Sequence, residues 1–117
     1  KQVRDFLHPD DLFDALSYQL EHFDSLAGST FNLGGGVEGS TSLRELTALC
    51  ETISGNTITI GSVPETRWGD VRLYISDNAR FEKLSGWKPK RNVETTMNDI
   101  YTWIVAHKDV LAPIFSA

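Results

Sequence analysis

The sequence predicts a small α/β domain of short parallel strands with flanking helices, and three observations carry that reading. Amphipathic helical patterns alternate with short β-branched runs, the order expected of a layered α/β unit. A capping box, Ser42-Leu43-Arg44-Glu45, opens a helical stripe that is followed by Thr57-Ile58-Thr59-Ile60, so helix and strand succeed one another directly. The chain has 117 residues, 40% of them hydrophobic and 23% charged, which suits one domain over residues 1–117 with a modest core.

After a short extended opening, His8-Pro9-Asp10-Asp11 reads as a helix start. Proline suits the first helical position, and the two carboxylates lie near the positive end of the helix dipole. Leu12, Leu16, Leu20 and Phe23 recur at helical spacing and give one apolar face, up to a stop at Ala27-Gly28. Thr30-Phe31-Asn32-Leu33 is a short strand candidate that leads into a glycine run. In the helix that follows, Leu43, Leu46, Leu49, Cys50 and Ile53 form the stripe expected to be buried, and Gly55 ends it. Strand, helix and the strand Thr57–Ile60 then predict a right-handed crossover joining two parallel strands. A polar loop from Pro64 to Arg72 leads to a third strand, Leu73-Tyr74-Ile75. Ser76 or Asp77 caps a short helix over Ala79 to Leu84, which stops at Gly86. Trp87-Lys88-Pro89 is a non-helical link, and from Val93 the residues Met97, Ile100 and Ile104 mark a final helix with His107 and Lys108 near its negative end.

The composition excludes several function classes. A net charge of −5 argues against a nucleic-acid or anionic-membrane surface, which needs clustered Lys and Arg. No apolar run approaches the ~20 residues of a membrane span, and no signal-peptide pattern is present. The single cysteine, Cys50, fits a reducing compartment, so a cytoplasmic location is expected. The chain begins at Lys1 without an initiator Met or a lead-in, as a piece of a larger protein would.

Gly34-x-Gly36-x-x-Gly39 has the spacing of a dinucleotide-binding turn. Such a turn puts its third glycine in the first helical turn and has an acidic residue at the end of the next strand. Here the capping box starts the helix near Ser42, and no carboxylate follows the next strand until Glu65. The glycines therefore read as a turn that lets strand and helix pack closely. Nucleophilic and metal chemistry find little support. Cys50 lies on a face expected to be core, His8 reads as a cap or packing residue, and His22 and His107 read as exposed helical residues. A Tyr-x-x-x-Lys acid/base pair is absent, because Tyr18, Tyr74 and Tyr101 are followed four residues on by His22, Asn78 and Val105.

Two polar clusters remain: Val3-Arg4-Asp5, expected at the edge of a strand, and Thr66-Arg67-Trp68-Gly69-Asp70-Val71-Arg72 in the long loop. An arginine fork matches a phosphate in two places, and an aspartate nearby can accept from ribose hydroxyls. On spacing alone, surface salt bridges account for both clusters, and a phosphate site is the alternative.

Four stretches taken together carry a resemblance. They are Val3-Arg4-Asp5-Phe6-Leu7-His8-x-x-Asp11-Leu12, Phe31-Asn32-Leu33-Gly34-Gly35, Arg67-x-Gly69-Asp70-x-Arg72 and Gly86-Trp87-x-Pro89-Lys90. In order and interval they resemble the C-terminal part of the extended short-chain dehydrogenase/reductase family, the NAD-dependent nucleotide-sugar epimerases and dehydratases, and within it the CDP-paratose 2-epimerase branch. The resemblance covers nearly all of the chain. It implies a small substrate domain separated from its Rossmann domain, with NAD and the catalytic Tyr-x-x-x-Lys on an N-terminal domain outside these residues. By motif, Arg4 and Arg67 would contact the nucleotide diphosphate and Asp70 the ribose, while His8 and Asp11 stay structural. No catalytic, cofactor-binding or metal-binding residue is expected in this chain. The implied partner is a nucleotide-diphosphate sugar, and the implied parent is a homodimer. A 4-epimerase, a dehydratase or a reductase of the same family is the alternative, as is a stand-alone nucleotide-binding or interaction module.

Overall fold

The structure is a computed structural model that describes residues 2–61, 63–65 and 68–115. It is a mixed α/β unit with a three-stranded sheet and six helices. The elements in chain order are β1 (Val3–Asp5), α1 (Pro9–Glu21), α2 (Phe23–Leu26), β2 (Ser40–Ser42), α3 (Leu43–Ser54), β3 (Leu73–Tyr74), α4 (Ala79–Ser85), α5 (Val93–Ala106) and α6 (Lys108–Phe115).

The sheet order is β2-β1-β3, so Val3–Asp5 is the central strand and not an edge. β1 runs parallel to β3, with Val3 opposite Leu73 and Arg4 opposite Tyr74. It runs antiparallel to β2, with Val3 opposite Ser42 and Asp5 opposite Ser40. The expected crossover between two parallel strands is therefore replaced by a mixed arrangement. Neither Thr30–Leu33 nor Thr57–Ile60 joins the sheet. Thr57–Ile60 pairs with no strand among the described residues; Ile58 and Ile60 are exposed, and the Ile58 amide donates to Glu51 instead. The 30–33 segment is held by side chains. The Arg80 guanidinium donates to the Thr30 carbonyl at 3.0 Å, and the Phe31 ring packs 5.2 Å from that of Phe81. Burial of Phe31 against α4 thus replaces a backbone ladder.

Local sequence signals set most helix ends. Pro9 opens α1, and His8 Nδ1 accepts the Asp10 amide at 3.1 Å. At α3, Ser42 and Glu45 form the reciprocal capping box, and Gly55 closes the helix in the left-handed region at φ 70°. Gly86 does the same for α4. The Ala79 amide donates to Asp77 Oδ1 at 2.9 Å. Two helices are followed at once by another: α1, expected to run on to Ala27-Gly28, ends at Glu21 before α2, and α5 ends at Ala106, near the expected end at His107 and Lys108, before an unexpected α6. In both, a histidine ring nitrogen meets a carbonyl four residues back, His22 with Tyr18 and His107 with Trp103.

The core is small. Ala15, Phe81 and Trp87 form it, with Leu7, Tyr18, Phe31 and Leu33 packed around. α3 packs against α5 yet has no fully buried residue, and Cys50, expected in the core, is exposed. A two-helix contact on one side of a thin sheet covers only part of the Leu46, Leu49 and Ile53 stripe.

A single carboxylate ties α1 to the C-terminal third. Asp11 is fully buried and accepts the Lys90 amide at 3.1 Å, the Arg91 amide at 3.0 Å and the Arg91 guanidinium at 2.7 Å. Its backbone carbonyl accepts the Trp87 indole N–H at 3.0 Å. Around it, Arg91 also pairs with Asp10 at 3.2 Å, Lys90 with Asp14 at 2.8 Å, and His8 Nε2 with Asp99 at 3.2 Å.

Asp11→Ala would leave the Lys90 and Arg91 amides without their acceptor, while Arg91 keeps Asp10, so it should cost about 1–3 kcal/mol in denaturant unfolding, and Asp11→Asn less. A midpoint unchanged in Asp11→Ala would show that the carboxylate does not hold the link.

Candidate functional site

The glycine run wraps the backbone of Phe6. The Phe6 amide donates to the Gly39 carbonyl at 2.9 Å. A Cβ on Gly35 would meet the Phe6 carbonyl carbon at 2.7 Å, and one on Gly39 would meet the Phe6 oxygen at 2.9 Å. These glycines are needed for close approach, as the turn reading expects.

The same turn fits poorly as a pyrophosphate cradle, because its amides are already in use. Gly34 N–H donates to Asn78 Oδ1 at 2.9 Å, Gly36 N–H to Asp5 Oδ2 at 3.0 Å, and Gly39 N–H to the Gly35 carbonyl at 3.1 Å. The turn does hold an anion, but it is the chain's own Asp5. A cleft of about 350 Å³ beside it is lined by Glu38, Asp77 and Glu82 against one Lys88, a poor lining for a phosphate. This turn thus offers no free glycine amide for a pyrophosphate at Gly34, Gly36 or Gly39, and the described residues contain no group of three metal-ligating side chains.

Asp5 joins the turn to β3. Burial works to raise its pKa, but hydrogen bonds from the Ser76 backbone and side chain and from the Gly36 amide outweigh that and hold the carboxyl below its ordinary value.

Of the three residues expected at a ligand, Arg4 and Asp70 are described, and Arg67 lies outside the described residues. Arg4 is half-buried on β1. Its guanidinium donates to the carbonyls of Val3 and Val71, both at 2.7 Å, so it bridges the sheet to the loop one residue from Asp70. The Val3 amide also donates to the Arg72 carbonyl at 2.9 Å, fixing that loop's exit. Gly69 takes φ 87°, a conformation that favours glycine and turns the chain just ahead of Asp70.

Asp70 and Arg72 line a groove of about 970 Å³ that lies between α3 and Ile60, Gly61, Val63 and Glu65. Its other charged walls are Arg44, Glu51 and Glu65. Arg4 does not line the groove; it stands behind it and braces the loop. Arg44, Thr47 and Glu51 were not singled out from the sequence. Their spacing of three and four along α3 puts them on one helix face, and that was the available signal. His8, with both ring nitrogens engaged, caps α1 as expected, and His22 and His107 stack on Tyr18 and Trp103 at exposed helix ends.

Comparison with solved structures gives the class. A UDP-glucose-4-epimerase of Stenotrophomonas maltophila, solved with NAD and formylated UDP-arabinopyranose, superposes with a TM-score of 0.80 at 27% identity, covering 94% of this chain and 32% of that one. The UDP-glucose 4-epimerase of Bifidobacterium longum, in complex with NAD+ and UDP, gives 0.78 at 26% identity over 92% and 31%. The chain is a C-terminal part of an extended short-chain dehydrogenase/reductase. Among curated relatives, the CDP-paratose 2-epimerase of Salmonella typhi is 30% identical over 103 residues, 88% of this chain and 30% of that protein. The UDP-glucose 4-epimerase GEPI42 of Cyamopsis tetragonoloba is 35% identical over 104 residues, 86% of this chain and 28% of that protein. The chain thus spans about 30% of the length of the relatives it matches. No protein-family model matches it.

The depressed pKa of Asp5 sets an acid limb. Its contribution is present above the ordinary value of 3.8 and is lost as pH falls through the lower folded value. Thermal unfolding of the native chain should therefore lose stability as pH falls from 3.8 toward the lower folded value, and Asp5→Asn should flatten this part of the profile. An identical acid limb in the variant would remove Asp5 as its source.

Proposed function

We propose that this chain is the substrate-binding portion of an NAD-dependent nucleotide-sugar epimerase of the CDP-paratose 2-epimerase kind. Residues 1–117 form one nucleotide-sugar-binding domain in this reading. Arg4 and Arg67 hold the diphosphate, and Asp70 accepts from the ribose hydroxyls. NAD belongs to a separate N-terminal domain of the complete polypeptide, so this chain's share is affinity and orientation of the substrate. The isomerase class, a homodimeric parent, a cytoplasmic location and the absence of a membrane or nucleic-acid partner belong to the same proposal. Among the described residues no helix is long and apolar enough to cross a membrane.

The observation that carries the reading is the relationship to nucleotide-sugar epimerases across most of the chain. The tether from Arg4 to the Val71 carbonyl, next to Asp70, supports it by linking two of the three proposed contacts to one loop. The groove lined by Asp70 and Arg72 supplies room next to Asp70, though not next to Arg4. A second reading, a UDP-sugar 4-epimerase, is favoured by the 35% identity to the Cyamopsis tetragonoloba enzyme, which exceeds the 30% to the Salmonella typhi one.

Calorimetry of the complete polypeptide with CDP-, UDP- and dTDP-sugars separates these readings by which nucleotide binds. With the preferred sugar, Arg67→Ala should weaken binding about 10- to 100-fold, the worth of one or two charge-assisted hydrogen bonds. Asp70→Asn should weaken it less. Full affinity in Arg67→Ala would take that residue out of the site, and failure to bind any nucleotide sugar would remove the proposal.

A further inference from the structure

We infer that the α3 wall of the groove beside Asp70, through Thr47 and Glu51, reads the base of the nucleotide sugar and selects one with an exocyclic amine over one with a carbonyl in that place. The inference rests on the substrate-binding reading above and names the kind of base such a site takes. Thr47 and Glu51 stand four residues apart on α3, so they are neighbours on the helix face that lines the groove. Both are restricted to accepting. The Thr47 hydroxyl donates its one proton to the Leu43 carbonyl at 2.8 Å, which leaves its oxygen as an acceptor only. Glu51 Oε1 accepts the Ile58 amide at 3.3 Å, and a carboxylate has no proton to give. That amide lies on the segment leading to Ile60, so it ties the carboxylate to the facing wall of the groove. Glu51 Oε2 has no partner among the described residues.

Two neighbouring acceptors fit a group that carries two N–H donors. Cytosine and adenine share such a group in their exocyclic amine, whereas uracil and thymine present a carbonyl oxygen there and set acceptor against acceptor. A site built to hydrogen-bond one group rejects the analogue that lacks it, because its own polar atoms are then left unpaired. The other walls suit a flat ring. Ile60 and Val63 lie across the groove from α3 and are 61% and 74% exposed, so a base laid between them and the helix would cover apolar surface. Arg44, one turn ahead of Thr47 on the same face, makes no hydrogen bond or ion pair among the described residues, which leaves its donors for the acceptor atoms of the ring. A phosphate fits this groove poorly, since its charged lining sets Glu51, Glu65 and Asp70 against Arg44 and Arg72. An uncharged base meets no such repulsion. Asp70 lines the same groove, so the proposed ribose contact and the base contacts share one cavity.

The test is calorimetry of the complete polypeptide with CDP-glucose, ADP-glucose and UDP-glucose, which share sugar and diphosphate and differ in the base. CDP-glucose or ADP-glucose should bind about tenfold or more tightly than UDP-glucose, and the tighter of the two identifies the base. Glu51→Gln keeps the side chain's shape and an acceptor for the Ile58 amide while adding donors. It should bring the preferred amino base and UDP-glucose within about threefold of each other. Thr47→Val removes one acceptor at similar volume, so it should weaken the amino base and leave UDP-glucose unchanged. Either variant decides the point if the other fails to fold. UDP-glucose bound more tightly than the other two would overturn the inference, and so would a preference that the folded variants leave intact. The substrate reading is judged separately by the same titrations. Equal binding of all three sugars overturns the base selection alone, and binding of none overturns both.

Discussion

The buried carboxylate of Asp11 is the interaction on which the rest of the arrangement depends. A charge without solvent needs donors around it, and Asp11 collects two backbone amides and a guanidinium from Lys90 and Arg91. That requirement draws the 87–91 link against the first turn of α1. Trp87 then enters the core beside Ala15 and Phe81, with its indole N–H on the Asp11 carbonyl. It also sets where α5 begins, because Asn92, directly after the link, caps that helix. A core of three side chains is thus positioned by a polar constraint more than by its own packing.

Asp5 performs a related task at the other end of the unit. Its carboxylate accepts from the Gly36 and Ser76 amides, so one side chain of the central strand gathers the glycine turn and the segment after β3. Asn78 closes the same joint with a reciprocal pair of hydrogen bonds to Gly34, at 2.9 and 2.8 Å. A glycine spacing that matches a cofactor turn by letter is therefore used for internal packing. What distinguishes the two uses is where the amides are directed, and a spacing motif does not encode that.

Local chemistry was legible in the sequence; long-range pairing was not. The capping box at Ser42, the stops at Gly55 and Gly86 and the proline start at Pro9 act within a few residues, and each appears where its residues predict. Thr30–Leu33 and Thr57–Ile60 have strand composition, but side chains hold them in place of a ladder: Phe31 packs on Phe81, and the Ile58 amide donates to Glu51. The outward stripe of α1 misleads in another way. Its spacing marks one apolar face, yet Leu16, Leu20 and Phe23 on that face are exposed. At the candidate site, spacing alone reads the clusters of Arg4 and Asp70 as surface salt bridges, and only the family resemblance names them as ligand contacts. The Val71 carbonyl that joins them is a backbone atom, and no side-chain pattern announces it.

The bridge from Arg4 has a consequence for how tightly a ligand could be held. A free arginine carries about 2 kcal/mol of rotamer entropy, and a binding site normally loses part of it when the ligand arrives. Two carbonyls, Val3 on the central strand and Val71 ahead of β3, already restrain this side chain as the sheet forms. Its disorder is lost during folding, so later contacts to its remaining donors would begin from a prearranged fork. Under the proposed role of Arg4, the register of β1 against β3 would become a determinant of affinity, and a slip of that short ladder would loosen the arginine before any ligand contact changed.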